Sequence, residues 1–391
     1  MSEMMSTKAG DPGAFADFDL SRVQTPAFVV DAAALRHNLA LLNDVKRRSG
    51  AKILLALKAF SMFRTAGLTQ AVLDGTCASG LWEARLARAY YPGLIETFSP
   101  GYKREDLAEI AALSNTIVFN TPHQHARFRE YLGQTGKIFD VGLRLNPEHS
   151  EGEVAKYDPA APGSRLGFPV SQLREEHLSG VHGLHMHTLC EQGFEPLART
   201  WAALEPKIAP YLPRLDWLNL GGGHHITRAD YDRDALVALL RQIADKYDVQ
   251  VYLEPGEAVA LDAGILVGEI LDTFENGMPV AVTDISATCH MPDVIEAPYR
   301  PAMLGEPASG LRYRLGGPSC LAGDTIGDYT FPMPPEPGTR FAFLDQAHYS
   351  MVKTTTFNGV PLPSIYLWDS DTDSLECIRQ FDWTEFERRL S

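Results

Sequence analysis

Ile53-Leu54-Leu55-Ala56-Leu57-Lys58-Ala59-Phe60 opens with five apolar residues behind a Ser49-Gly50 break. A short run of this kind, apolar on both alternating faces, is the pattern of a strand buried on both sides in a parallel barrel or doubly wound sheet. Lys58 falls where the strand ends. An ammonium group there either snorkels to solvent or does chemistry. Burial lowers a lysine pKa, and a neutral amine can form a Schiff base with an aldehyde.

Outward from that stretch the chain alternates. Thr25 to Asp31 reads as a strand, and Asp31 is placed to cap a helix through Leu35, Leu39, Leu41 and Leu42. Further strand-like runs lie at Ile53–Leu57, Thr76–Ser79, Glu96–Ser99, Thr116–Asn120, Asp140–Asn146, His182–His187, Leu215–Leu220 and Gln250–Glu254. Helix-like segments lie between them at Leu81–Tyr90, Arg104–Leu113, His123–Leu132, Phe194–Ala209 and Asp230–Tyr247. Eight strands alternating with helices predict a (β/α)8 TIM-type barrel, which takes roughly 250 residues and carries function at the C-terminal strand ends. An open flavodoxin-like sheet is the competing reading, since periodicity does not say whether a sheet closes.

Beyond Gly256 the texture changes to short β-type runs parted by Pro- and Gly-rich turns, such as Phe331-Pro332-Met333-Pro334-Pro335. This predicts a mostly antiparallel second domain. Runs at Ala263–Thr273, Met278–Ile285, Leu311–Leu315, Arg340–Leu344 and Ser364–Trp368 are its strands, and Phe381–Leu390 is a short terminal helix. Met1 to Asp19 has no apolar core of signal-peptide length and reads as a loose leader.

Lys58, Asn146, His187, Gly221-Gly222-Gly223 and Glu254 each lie at or just past the end of a different strand, so in a barrel they face one mouth. The three glycines are either an ordinary turn or a cradle whose backbone N–H groups approach a phosphate; the GxGxxG dinucleotide pattern is absent. Glu254 ends a buried strand, where a carboxylate needs a partner. A salt bridge or a pyridine nitrogen would serve. His185 and His187 alternate on one strand face, with His224 and His225 nearby, a density that suits either a core or a zinc site. No carboxylate or cysteine stands at a spacing that completes a metal site, so no metal is expected. Cys320, in Gly317-Pro318-Ser319-Cys320-Leu321-Ala322-Gly323-Asp324, is either half-buried or a loop thiol able to deliver a proton.

Composition sets outer limits. The chain has 391 residues, 45% of them hydrophobic and 22% charged, with no apolar run of bilayer length. A cytoplasmic protein is expected. Its net charge of -15 disfavours nucleic acid and anionic membranes and favours a cationic ligand. Five cysteines without CxxC spacing indicate neither a disulfide framework nor a zinc site.

Taken together, these motifs resemble the fold-type III pyridoxal-phosphate-dependent decarboxylases of the alanine racemase-like group, over about residues 25 to 370. Within the group the chain is most similar to the carboxynorspermidine/carboxyspermidine decarboxylases, through ALKAF, NPEHSEGEVAKYDPAAPGSRLGFP, HMHTLCE, GGGHHIT, YLEPGEA, DISATCHMPDVIEAPYRP, SCLAGD and MVKTTTFNG. The resemblance implies decarboxylation of carboxynorspermidine to norspermidine or of carboxyspermidine to spermidine. It implies that Lys58 holds pyridoxal 5′-phosphate through a Schiff base and that His187 stacks on the ring. Gly221, Gly222, Gly223 and Tyr349 would hold the phosphate, Glu254 would face the pyridine nitrogen, and Arg165 would help order the site. Cys320 would reach in from the partner subunit of a head-to-tail homodimer, beside Asp324. The N-terminal strand would join the second domain, giving a barrel over 33–262 and a β-domain built from 1–32 and 263–391.

The departures bear on substrate. Glu257 follows Gly256 where diaminopimelate and ornithine decarboxylases carry arginine, and Leu321 follows Cys320 where relatives that bind diamino acids place an acid. With Asp324, Glu257 makes the site acidic, which suits a cationic polyamine. Asp293 and Glu296 are further candidates for gripping its amines. Cys289 stands where the group has alanine, and nothing in the sequence explains it. A diaminopimelate-type decarboxylase, an amino-acid racemase, a non-catalytic cofactor carrier and a metal hydrolase are the alternatives. Glu254 argues against a racemase, which pairs the ring nitrogen with arginine, and the second domain argues against a carrier.

Overall fold

The computed structural model describes residues 7–8, 10–152 and 157–391. Met1–Ser6 of the expected leader, Ala9, and Glu153–Lys156 of the quoted NPEHSEGEVAKYDPAAPGSRLGFP motif lie outside the described residues. The chain divides into two compact units, His37–Val259 and the combination of Met1–Arg36 with Ala260–Ser391.

In the first unit eight strands pair in parallel, each with the next: Lys52–Ala56, Gly75–Ala78, Leu94–Phe98, Thr116–Phe119, Asp140–Asn146, Gly183–His185, Trp217–Asn219 and Gln250–Leu253. The last pairs with the first, Tyr252 opposite Lys52, so the sheet closes into a barrel and the open-sheet alternative falls. Ile53 to Leu57 are all fully buried, as the continuous apolar run required. The interior is filled from one strand by Trp217. A Cβ at Gly183 would sit 2.0 Å from its ring and one at Gly142 2.5 Å, so the two neighbouring strands carry glycine where the indole lies.

The surrounding helices follow local signals. Arg104–Leu113 buries Leu107, Ile110 and Ala111 on one face and opens with Glu105 and Asp106, whose charges suit a helix N-terminus. Pro122–Gly133 begins with proline at its first turn and is capped by Thr121, which accepts from Gln124 N–H at 3.1 Å. Arg233–Tyr247 is capped by Asp232 and ends at Asp248 in the left-handed conformation, φ 53°.

The second unit holds a mixed, mostly antiparallel sheet. Its order is Thr325–Phe331, Leu311–Gly316, Pro279–Thr283, Gly264–Glu275, Ala27–Asp31, Ser364–Asp369, Ser374–Arg379, with Arg340–Phe343 also pairing with Gly264–Glu275. Ala27–Asp31 lies antiparallel to Gly264–Glu275 and parallel to Ser364–Asp369. Side chains alternate between two cores: Phe28, Leu266, Phe341 and Phe343 on one face, Ala27, Val29, Ile265, Val267 and Ala342 on the other.

The second face corrects the reading of the leader. Phe15 and Phe18, 2% and 6% exposed, pack on Trp368 with ring centroids 5.2 and 4.8 Å away. Gly13–Asp17 and Leu20–Arg22 form 3-10 turns that place them there. Composition marked this stretch as loose because its few apolar residues have no period, but two aromatic rings are enough to anchor it. No helix among the described residues is long and apolar enough to cross a membrane.

Candidate active site

The barrel strands bring together the groups the sequence placed at their ends. Lys58 follows the first strand in a turn, and its Nζ lies 3.2 Å from His187 Nε2. The side chain meets solvent, yet the protein around it displaces enough water to lower the amine pKa, with the Arg144 guanidinium as the second cause. His187 Nδ1 accepts Gly222 N–H at 3.2 Å. On a neutral ring this leaves the proton on Nε2, pointed at Lys58. Burial first and Lys58 second push the His187 imidazole down to about 3, so it is neutral at physiological pH.

Glu254 lies just past the last barrel strand, 5% exposed. Its Oε2 is 3.2 Å from His185 Nε2 and 3.6 Å from His187 Nδ1, and its Oε1 accepts from Asn219 Nδ2 at 2.8 Å. Burial pushes this carboxyl up, but His185 and the hydrogen bonds around it prevail and hold it well below the usual carboxylate range. The fold brings Glu254 from another strand to the two histidines, so that one donor atom each of His185, His187 and Glu254 lie within 4.8 Å of one another.

The glycine triplet has a packing role that the phosphate reading did not anticipate. Gly221 and Gly223 have φ of +70° and +82°. A Cβ at Gly221, Gly222 or Gly223 would lie 2.4, 2.0 or 1.9 Å from the carbonyl oxygen of Met186, Glu254 or Leu189. Only glycine lets this segment pass so close to its neighbours.

Three residues the sequence reading passed over complete the barrel interior. Arg144, in mid-strand, donates to the His187 carbonyl at 2.7 Å and lies over the Phe98 ring at 4.5 Å. Glu96 and Asn219 join Glu254 through Asn219 Nδ2, which is 2.9 Å from Glu96 Oε1. Glu96 and Arg144 carry the signal that exposed Glu254, an ionisable residue inside a buried strand. Arg165 is exposed, and its carbonyl accepts from Asn120 Nδ2 at 2.9 Å. Glu257 is buried, 3.4 Å from His225 Nε2.

The remaining candidates lie in the β-domain. Asp324, only 4% exposed, accepts from Ser286 Oγ at 2.8 Å, Ser319 Oγ at 2.6 Å and Thr288 N–H at 3.1 Å. Its carboxylate is therefore committed to folding the loop that carries Cys320. Cys320 is exposed, with its N–H donated to Asn358 Oδ1 at 2.6 Å, and Asn358 takes a left-handed φ of 61°. Asp293 and Glu296 both bind Lys353 Nζ, at 2.6 and 2.8 Å. Tyr349 opens the short helix Tyr349–Val352. Cys289 is buried with Sγ 3.5 Å from the Phe357 carbonyl.

No protein-family model matches the chain. Structural comparison places it in a class. It superposes on diaminopimelate decarboxylase from Helicobacter pylori with a TM-score of 0.80 over 95% of this chain and 98% of the other, at 16% identity, which is a likeness of fold. The barrel and β-domain are thus those of the fold-type III decarboxylases. Carboxynorspermidine decarboxylase from Campylobacter jejuni, in a crystal structure with norspermidine, matches with a TM-score of 0.86 at 38% identity, over 94% of this chain and 100% of that one. In sequence, the carboxynorspermidine/carboxyspermidine decarboxylase of C. jejuni is 40% identical over 382 residues, 94% of this chain and 99% of the relative. The carboxyaminopropylagmatine decarboxylase of Synechocystis is 39% identical over 376 residues, 95% of this chain and 96% of the relative. The chain belongs to the carboxynorspermidine/carboxyspermidine decarboxylase family.

Proposed function

We propose that this protein decarboxylates carboxynorspermidine or carboxyspermidine with pyridoxal 5′-phosphate as cofactor. One observation carries the reading: a lysine of lowered pKa, a neutral imidazole and a buried ionised carboxylate meet in one barrel of a chain 40% identical to such an enzyme over nearly its full length. These groups fit the cofactor. A Schiff base needs a neutral amine, which the lowered pKa of Lys58 favours, and a protonated pyridine needs an ionised partner, which the lowered pKa of Glu254 favours. Lys58, His187, Glu254, Gly221, Gly222, Gly223, Arg165 and Tyr349 would hold it. When bound, it supplies an electron sink for the bond to the departing carboxylate.

The chain's own residues do the rest. Lys58 would hold the cofactor until the substrate amine takes its place, and again once the product has left. Glu254, kept ionised, would keep a proton at the ring nitrogen. The electron pair of the broken C–C bond would be drawn from the α-carbon toward that sink until the carbon is protonated. The Cys320 thiol, from the neighbouring subunit of a homodimer, delivers the proton that carbon takes up. Glu257 and the net charge of -15 favour a cationic substrate. Asp293 and Glu296 grip its amines by exchanging the Lys353 ammonium for the substrate's, and Asp324 assists by shaping the loop beside Cys320.

A second reading, with carboxyaminopropylagmatine as substrate, is favoured by the 39% identical relative of that name. Diaminopimelate is the more distant alternative, at 25% identity. The test is carbon dioxide release by purified, cofactor-loaded protein, with kcat/KM measured for all four acids in one assay. The better of the two carboxylated polyamines is expected to lead the agmatine derivative and diaminopimelate by at least about tenfold; the two polyamines, one methylene apart, differ from each other by ~1–3 kcal/mol, about 10–200-fold. A lead for the agmatine derivative would install the second reading.

A further inference from the structure

Two carboxyls lie inside the barrel, and the mechanism uses only one. Glu96 stands in the middle of the Leu94–Phe98 strand, 3% exposed, and Asn219 links its side chain to Glu254. Asn219 binds both: its Nδ2 is 2.9 Å from Glu96 Oε1 and 2.8 Å from Glu254 Oε1. The amide cannot be turned the other way, because its Oδ1 accepts Gly221 N–H at 2.8 Å. The two carboxyls are thus bridged by one amide nitrogen, close enough for the charge of one to act on the other. Ionised carboxylates only accept, so direct contact between them is favourable only with a proton on one.

The surroundings place that proton. Among the described residues no lysine or arginine forms an ion pair with either group. The close ionisable neighbours are His185 and His187, at 3.2 and 3.6 Å from Glu254. His187 presents to Glu254 the nitrogen that accepts from Gly222, so His185 and Asn219 are its donors. Glu254 thus has two donors and Glu96 has one. Lys58, Cys77 and Arg144 are the other titratable groups that face the pair from the barrel strands, with Tyr102 and Tyr252 near Glu96. Two negative charges so close in a buried space would repel each other strongly.

We propose that Glu96 and Glu254 form a carboxylic acid–carboxylate pair sharing one proton, clamped by Asn219, and that Glu96 is a positioning residue for Glu254. The proton resides on Glu96. Burial, with repulsion from Glu254 second, raises the Glu96 carboxyl well above its ordinary value. The consequence for the reaction, which rests on the function proposed above, is that the pair would present a single, fixed negative charge to the ring nitrogen of the cofactor.

The first test needs neither cofactor nor substrate. Infrared difference spectra of the cofactor-free protein against Glu96→Gln are expected to show one protonated-carboxyl band that persists through neutral pH and is missing from the variant. Absence of such a band, or its survival in Glu96→Gln, overturns the pair whatever the enzyme acts on. The second test is kinetic. Glu96→Leu removes the donor to Glu254 and is expected to lower kcat about tenfold or more with KM little changed, while Glu96→Gln, which keeps an N–H donor, recovers most of that loss. Equal losses in the two variants overturn the positioning role, and the spectrum decides the pair even if Glu96→Leu does not fold.

Discussion

Lys58 shows how one residue's chemistry is set by its neighbours. The side chain meets solvent, yet nearby protein displaces water from its amine, Arg144 repels its charge and a neutral imidazole lies within hydrogen-bond distance, and all three favour the uncharged form. Lys58→Ala is expected to abolish both the absorbance of bound pyridoxal 5′-phosphate and carbon dioxide release; full activity in that variant would remove the proposed mechanism. Asp324 makes the opposite point. Its carboxylate was a substrate-binding candidate, yet it is spent on Ser286, Ser319 and Thr288. Asp324→Ala is expected to cost about 2–3 kcal/mol in denaturant unfolding, because it strands buried donors, and Asp324→Asn less. Site-resolved alkylation of Cys320 should also speed up in Asp324→Ala as its loop loosens. Neither effect would appear if the carboxylate waited for a ligand.

At the scale of elements, the glycine turn after Trp217–Asn219 is the tightest constraint. A Cβ on Gly222 would lie 2.0 Å from the Glu254 carbonyl, and the atom it meets is backbone, so the strand end itself must move. Gly222→Ala is expected to destabilise the fold by about 2–4 kcal/mol and to weaken cofactor retention at the same time, measured by thermal unfolding and by equilibrium dialysis. The barrel elements were legible because each has a local cause: Leu81–Tyr90, Arg104–Leu113 and Asp140–Asn146 have the bounds their periodicity predicts. In the β-domain, Thr325–Phe331 and Ser374–Arg379 went unseen. Ser374–Arg379 is largely exposed and is a strand only because Ser364–Asp369 pairs with it. Thr325–Phe331 does alternate, but Gly327 breaks its apolar pattern.

For the whole molecule, acid sensitivity follows from imidazoles that folding keeps neutral. Burial first lowers His187 and His224 to about 3 and His125 and His290 to about 4. The unfolded chain protonates its histidines near pH ~6.5, so the stability these groups confer is complete above that pH and is lost as pH falls toward the folded values. Each imidazole contributes up to about 1.4 kcal/mol per pH unit in that window. Asp262 works the other way: burial, then Asp345, raises it to about 6, so it takes a proton in the folded state before the unfolded chain does. Asp284 is raised in the same way, and Glu96 holds its proton in the pair proposed above, but these three acids do not offset five imidazoles once His185, also lowered by burial, is counted. The Tm of the cofactor-free protein is expected to fall steadily from about pH 6.5 to about pH 5; a flat profile would contradict the neutral imidazoles.

By itself the sequence determined the alternation of strands and helices, the candidate lysine, glycines and carboxylate at the strand ends, and the change to β-structure beyond Gly256, because each depends on composition or period within a few residues, whereas closure of the barrel rests on the pairing of Tyr252 with Lys52. Tertiary structure alone decided the rest. It bound Glu96 to Asn219 across 123 positions, gave Asp293 and Glu296 the ammonium of Lys353, turned Asp324 inward and seated Phe15 and Phe18 on Trp368. These contacts join side chains from distant segments, and whether a buried carboxyl is charged depends on what the fold sets against it, which no local pattern encodes.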